Sequence, residues 1–331
     1  MTLIDNSIDV FMPDQDPAHR FRDGTAHGQR EARTLERGVV DEHPRAEHGF
    51  SALLTITRSG RRRSVLFDAG RTPEGLSHNL RCFAIDARDI EAIVLSHGHF
   101  DHTTGLDGLA RQIGRRNLPV VIHPDFWSRR RLLLPGRDPW QLPSTSRAAL
   151  EGVGFSILEG RQPSFLLDGS LLVTGEVDRT NGFEPGFPYQ EAWRDGRWQP
   201  DPLVLDDQAI VVNLRGRGLV VLSGCGHAGM INILRHARQL TGVERVHLVM
   251  GGFHLNGPLY EPLIPRVCDE LAVIDPAFIV PTHCTGWRAT HAFGTRYPEK
   301  FLPNAVGTRF ELVAQDDEVA VQPAAAAAGE H

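Results

Sequence analysis

The stretch IVLSHGHFDHTTGL, residues 93–106, places three histidines and an aspartate within six positions, directly behind an apolar run. Ionisable side chains are costly to bury unless a partner compensates them, so this density at the end of a buried segment needs a cause. The apolar start reads as the end of a strand, and the residues from Thr103 onward read as a turn into a helix. On extended backbone, residues two apart point the same way, so His97 and His99 can face one ion together. Asp101 and His102 begin the turn and can face a second ion. Gly98 allows a tight bend, and Gly105 lets the turn approach the site. Imidazole with carboxylate suits zinc, manganese or iron better than calcium or an all-thiolate structural zinc.

Three later segments repeat the same setting, a polar turn behind an apolar strand. LVVLSGCGHAG (219–229) presents His227 with Cys225 beside it, LVMGGFHL (248–255) presents His254, and FIVPTHCTG (278–286) presents His283. Strand C-terminal ends in an α/β sheet share one edge, where ligand sites form. Each histidine alone could be an ordinary core or surface residue; the repeated context makes a shared metal site the better reading.

The rest of the chain is consistent with an α/β fold. Short apolar runs predict strands at 51–57, 64–68, 92–95, 119–122, 170–174, 209–214, 218–222, 246–250 and 277–280. Helices are predicted at 73–83, 103–115, 144–152, 228–241 and 260–273. In the fourth of these, Met230, Ile231, Leu234, Ala237 and Leu240 share a face, and Gly242 can end the helix. Interleaved strands and helices predict α/β layers covering mixed sheets. Residues 1–315 are expected to form a single domain and 316–331 a disordered tail. Residues 12–46 and 125–200 fit the scaffold poorly and are expected to be lid or insertion segments. The arginine runs at 61–63 and 129–131 read as a hairpin tip and an exposed helix face.

Composition narrows the partners. The 331 residues are 41% hydrophobic and 23% charged, normal for a globular chain with a sizeable core. A net charge of −6 disfavours nucleic acid as a partner. Four dispersed cysteines without a CxxC pair suit a reduced compartment, and no apolar run approaches a membrane span, so the expectation is a cytoplasmic protein acting on a small molecule. Its oligomeric state is left open. No Gly-x-Ser-x-Gly elbow competes as a nucleophile, and Arg179, Arg288 and Arg296 are available should the substrate carry phosphate.

Together with the HxHxDH loop, EHGFS (47–51), LFDAG (66–70), TGE (174–176), GCGHAGMIN (224–232), GGFHL (251–255) and PTHCTG (281–286) resemble the metallo-β-lactamase fold superfamily. Within it, they resemble a branch that includes the dihydropterin–ribofuranosylaminobenzene 5′-phosphate synthases of methanopterin biosynthesis. The resemblance implies a four-layer αβ/βα sandwich, with insertions, and a dinuclear site between two sheets. By that resemblance His97, His99 and His227 would bind one divalent ion, and Asp101, His102 and His283 a second; zinc leads, with manganese or iron as alternatives. Many members place a histidine and a bridging aspartate where this chain has TGE and GCG, so Glu176 and Cys225 are candidates for metal or substrate contact. His254 and His48 would contact substrate near the mouth. The implied activity is metal-dependent hydrolysis of an ester, phosphoester, lactone or activated ether by a metal-bound hydroxide, with Asp101 orienting the nucleophile. A pterin-type transferase displacing pyrophosphate is the second reading, and a non-catalytic metal- or ligand-binding protein the third.

Overall fold

A computed structural model of the chain describes residues 1–315; the expected tail at 316–331 lies outside them. Two six-stranded sheets form the centre. The first contains β1 (Thr2–Ile4), β2 (Ser51–Arg58), β3 (Arg61–Phe67), β4 (Ile90–Val94), β5 (Leu118–Ile122) and β6 (Phe155–Glu159). The second contains β7 (Ser164–Leu166), β8 (Leu171–Val173), β9 (Ala209–Leu214), β10 (Gly218–Ser223), β11 (Val246–Gly251) and β12 (Phe278–Pro281). In both, spatial order follows chain order. Each sheet is antiparallel at its start and becomes parallel from its third or fourth strand onward.

Period-two alternation divides the side chains between three cores. Val65, Phe67, Val94 and Val121 of the first sheet meet Ile210, Val220, Leu222 and Met250 of the second between the sheets. Their chain neighbours Leu66, Ile93, Val120 and Ile122 face the other way, against Leu76, Leu80, Leu106 and Leu109. Those four belong to α1 (Gly75–Cys82) and α2 (Leu106–Ile113), which are joined over this face by α3 (Arg147–Gly152). On the far side, α4 (Met230–Thr241), α5 (Ile264–Ile274) and α6 (Trp287–Arg296) cover Val211, Val221, Val249 and Ile279. The result is the expected four-layer αβ/βα sandwich. Gly242 ends α4 in the left-handed conformation, and the fully buried Ile231 and Leu234 each contribute roughly 2–3 kcal/mol through burial.

Register brings the strand ends level. Phe67 pairs with Val94 and Val94 with Val121, while Leu222 pairs with Met250 and Met250 with Val280. The turns that follow therefore open along one rim. The two rims are tied directly: the Gln208 backbone N–H donates to Ser96 O and its side-chain amide to Leu95 O, each at 2.9 Å.

The stretch 125–200 divides between two architectures. It supplies α3 and strands β6 to β8 of the main sheets, and it also builds a separate four-stranded sheet from Arg130–Leu132, Trp140–Gln141, Gln190–Arg194 and Arg197–Pro200. Arg130 overturns the reading of 129–131 as an exposed helix face: it lies on a strand and is 2% exposed. Residues 12–46 carry the pair Gln29–Glu31 and Val39–Asp41 and lie against α1, where His43 O meets His78 Nε2 at 2.9 Å.

Gly105 packs so tightly under the β3 turn that a Cβ there would overlap the Ala69 carbonyl oxygen. Gly105→Ala is therefore expected to lower unfolding free energy by about 2–3 kcal/mol, read by denaturant titration. An unchanged midpoint would show that this contact yields freely.

Candidate metal centre

The β3–α1 turn sets the geometry of the HxHxDH loop. Asp68, just past β3 and at φ +57°, turns a fully buried carboxylate under the loop. Its Oδ1 accepts from the Ser96 backbone N–H, and its Oδ2 accepts from the Ser96 hydroxyl and from His102 Nδ1–H, each at 2.7 Å. Because the Ser96 hydroxyl donates to Asp68, it accepts from His97 Nδ1–H at 2.9 Å. The proton of neutral His97 is thereby assigned to Nδ1, and Nε2 carries a lone pair.

The same bookkeeping applies to His99. Its Nε2–H donates to Gln190 Oε1 at 2.6 Å, leaving a lone pair on Nδ1. That lone pair faces His97 Nε2 at 3.0 Å and His227 Nε2 at 3.2 Å. His227 Nδ1 is buried with no hydrogen-bond partner. Burial, reinforced by the neighbouring imidazoles, holds His97 and His227 well below the usual histidine range; burial and then Arg130 bring His99 to about 4. Three neutral rings thus converge, with His97 and His99 presenting lone pairs to each other. Such a pair repels unless a cation stands between them, and this donor set fits a divalent metal.

A second group adjoins the first. His283 comes from the turn after β12 at φ +45°; its backbone N–H donates to Asp5 Oδ1 at 2.8 Å. Asn6 donates its amide to His283 O at 2.8 Å, so Asn6 Oδ1 faces His283 Nδ1, at 3.3 Å. That leaves His283 Nε2 free, buried without a hydrogen bond and 3.4 Å from Asp101 Oδ2. Burial pushes the Asp101 carboxyl up, but His102, His283 and His99 outweigh it and hold it well below the ordinary carboxylate range. Burial pulls His102 down, yet Asp68 and Asp101 raise it to about 9. His102 Nε2 faces Cys225 Sγ at 3.1 Å. Cys225, whose thiol burial pushes far up, lies within ligand distance of three groups: His97 with His102, His227 with His254, and His283 with Cys284.

Of the residues singled out in the sequence, His97, His99, Asp101, His102, Cys225, His227 and His283 are brought together. His48 stands at the opening, 59% exposed and 3.8 Å from Asp101 Oδ2. His254 packs on His227 at a ring separation of 4.4 Å, beside Phe187 and Tyr260. Glu176 points elsewhere: its carboxylate takes Arg161 at 2.9 Å and His123 at 3.2 Å. The third ring beside His97 and His99 is that of His227. Gln190 and Asn6 lie in no motif of the sequence, whereas Cys284, next to His283 in PTHCTG, joins Cys225 and His283 in one group. Asp68 was legible within LFDAG, though without a role.

The chain belongs to the metallo-beta-lactamase superfamily, whose model matches residues 48–231. Such a fold implies divalent metal binding, in keeping with the histidine and cysteine groups described here. Among its relatives is the 7,8-dihydropterin-6-methyl-4-(beta-D-ribofuranosyl)-aminobenzene-5'-phosphate synthase of Methanocaldococcus jannaschii, 27% identical over 77% of this chain and 87% of the relative. The uncharacterized protein MJ0448 of the same organism is 31% identical over 74% of this chain and 86% of its own. Among solved structures, Tm1679, described as a metal-dependent hydrolase of the beta-lactamase superfamily, shares the fold with a TM-score of 0.68 at 21% identity, over 94% of this chain and 98% of its own. No helix among the described residues is long and apolar enough to cross a membrane.

In metal-free protein the His102–Asp68 pair contributes stability that is fully present below 6.5 and lost as pH rises through about 9, because folding raises the His102 pKa. Asp68→Asn removes the pair. The stability gap between wild type and variant, measured in chelator, should narrow by up to about 3 kcal/mol as pH climbs through this window. A gap independent of pH would contradict the assignment.

Proposed function

We propose that this protein is a metal-dependent hydrolase acting on a small-molecule ester, phosphoester, lactone or activated ether. The observation that carries the reading is the meeting of unprotonated imidazole nitrogens from three separate turns beside an ionised Asp101 at an open mouth. In this reading His97, His99 and His227 would hold one divalent cation, and Asp101, His102 and His283 a second, with the Cys225 thiol adjoining both groups. Imidazole, carboxylate and a thiol together favour zinc over manganese or iron. Bound there, such cations supply Lewis acidity and bring the pKa of water toward neutrality.

The chain's own groups supply orientation and proton handling. Asp101, held ionised beside three histidines, would align the attacking water as the acceptor of its hydrogen bond. His283 Nε2 stands beside Asp101 Oδ2 at 3.4 Å, while Asp68 keeps the His102 ring from turning. His48, half in solvent next to Asp101, and His254, backed by Phe187 and Tyr260, border the space for substrate.

The synthase among the relatives supports a second reading, transfer with release of pyrophosphate. That chemistry calls for arginines free to hold a diphosphate. Arg288 is paired with Glu261 at 3.3 Å, Arg296 with Asp269 at 2.6 Å, and Arg179 donates to the carbonyls of His227 and Leu203. These engagements count against those three arginines as a diphosphate clamp.

Metal analysis of protein purified without chelator should find two equivalents of divalent metal. Against aryl phosphodiesters, lactones, esters and aryl ethers, Asp101→Ala should reduce kcat/KM about 10²-fold or more, the scale of losing a group that positions the nucleophile. Undiminished turnover in the variant would remove Asp101 from its role. Pyrophosphate formed only when two organic substrates are supplied would replace hydrolysis with transfer.

A further inference from the structure

We propose that Gln190, from the added four-stranded sheet, is the positioning residue that decides which nitrogen of His99 is free to bind a cation. The inference rests on the reading above, in which His97, His99 and His227 are ligands to one metal. A side-chain amide can present either its oxygen or its NH2 group, and at His99 the two choices have opposite consequences. Oxygen against Nε2 takes the ring proton there and leaves the Nδ1 lone pair aimed at His97 and His227. An NH2 group in the same place would require the lone pair on Nε2 and drive the proton to Nδ1, between the three rings. The first arrangement opens the set to a cation; the second closes it.

Asp201 removes the choice. Its Oδ2, which can only accept, lies 3.0 Å from Gln190 Nε2, so the amide nitrogen must face Asp201 and the oxygen must face His99. The Asp201 backbone N–H also donates to Gln190 O at 2.9 Å, locking the two residues across neighbouring strands. Asp201 is held in turn by Arg130 Nε at 3.1 Å and Arg194 Nη2 at 2.8 Å. The second arm of Arg130 pairs with Asp206, whose Oδ2 accepts the Gly98 backbone N–H at 2.8 Å. One guanidinium therefore grips the loop twice, through Asp206 at its backbone and through Asp201 and Gln190 at the His99 ring. Arg130, Asp201, Asp206 and Gln190 are each at most 3% exposed. Burying a charged triad for packing alone is unfavourable, since apolar residues of similar volume do as well or better. The arrangement is explained when its product is a fixed imidazole tautomer.

The test uses the full-length protein labelled with 15N-histidine. In wild-type, metal-free protein, long-range 15N–1H spectra should place the His99 proton on Nε2 and show Nδ1 unprotonated. Zinc titrated in a competing chelator should then shift the His99 Nδ1 resonance. Gln190→Met keeps the length of the side chain and removes both polar contacts; it should weaken zinc binding at the His99 site about 10–100-fold, the usual effect of removing a partner of a metal-bound histidine. Its metal-free spectrum should show a mixture of the two His99 tautomers, which a packing role would not produce. An equal zinc Kd in Gln190→Met, or a proton on Nδ1 in the wild type, overturns the proposal. The wild-type spectrum decides the matter even if the variant does not fold. A His99 ring that does not respond to zinc in the wild type instead sinks the ligand reading on which the proposal rests.

Discussion

Two ring nitrogens that face each other at 3.0 Å, both without a hydrogen, are the constraint on which this structure turns. Left alone, His97 Nε2 and His99 Nδ1 repel, and burial denies them water. Either ring could relieve the contact by exchanging its tautomer, so the fold must prevent exchange twice. It does so by opposite means. Asp68 polarises the Ser96 hydroxyl so that this hydroxyl can only accept from His97, while Asp201 orients the Gln190 amide so that it can only accept from His99. An acceptor-only carboxylate lies behind each ring, one residue removed. Neither carboxylate touches His97 or His99 directly, so each sets the proton's position on its ring through a neutral intermediary.

Holding such a contact requires a scaffold that does not relax, and the three stacked apolar cores supply it. The strands that lead into the candidate ligands are deeply buried: Val94, Val221 and Val280 have no exposed surface. Parallel pairing brings their ends level, but a level edge on one sheet would present only the HxHxDH loop. The remaining histidines come from the second sheet, and the bonds from Gln208 to Leu95 and Ser96 join the two rims into one platform. Gly224 shows how close that joint is, since a Cβ there would overlap the Ser96 hydroxyl. The centre lies at a seam between sheets, and its ligands keep their spacing only as well as the seam holds.

Most of this was legible from short-range patterns. Continuous apolar runs located β4, β5, β9, β10 and β11, and a polar turn behind each of four strands located the histidines. What escaped has specific causes. Strand β6 has only Phe155 buried among its five residues and so lacks an apolar run. Helix α6, WRATHAFGTR, buries just Ala289 and Phe293, too little to register as an amphipathic face. Arg130 was misread because arginine in a run of arginines is normally a solvated residue; its two carboxylates lie more than 70 positions downstream. Glu176 was a candidate by its place in a family motif, but Arg161 and His123 claim it, and His227 already supplies the third ring. Pairings over long sequence separation leave no local periodicity to detect.

The added sheet changes how the centre should be divided into parts. Judged by topology it is peripheral, since neither six-stranded sheet needs it for closure. Judged by hydrogen bonds it is internal, because one of its side chains meets the His99 ring at 2.6 Å and another reaches the HxHxDH loop through Asp206. The two views are reconciled by asymmetry in how the two halves of the site are held. His97 and His99 are braced from beneath and from the side, in a region closed to solvent. The Asp101 carboxylate instead lies beside His283 at 3.4 Å and the solvent-facing His48 at 3.8 Å. Rigidity is therefore concentrated where the tautomers are fixed, and openness at Asp101. In the proposed hydrolytic reading, an ionised carboxylate at the open side can align the attacking water without disturbing the tautomers behind it.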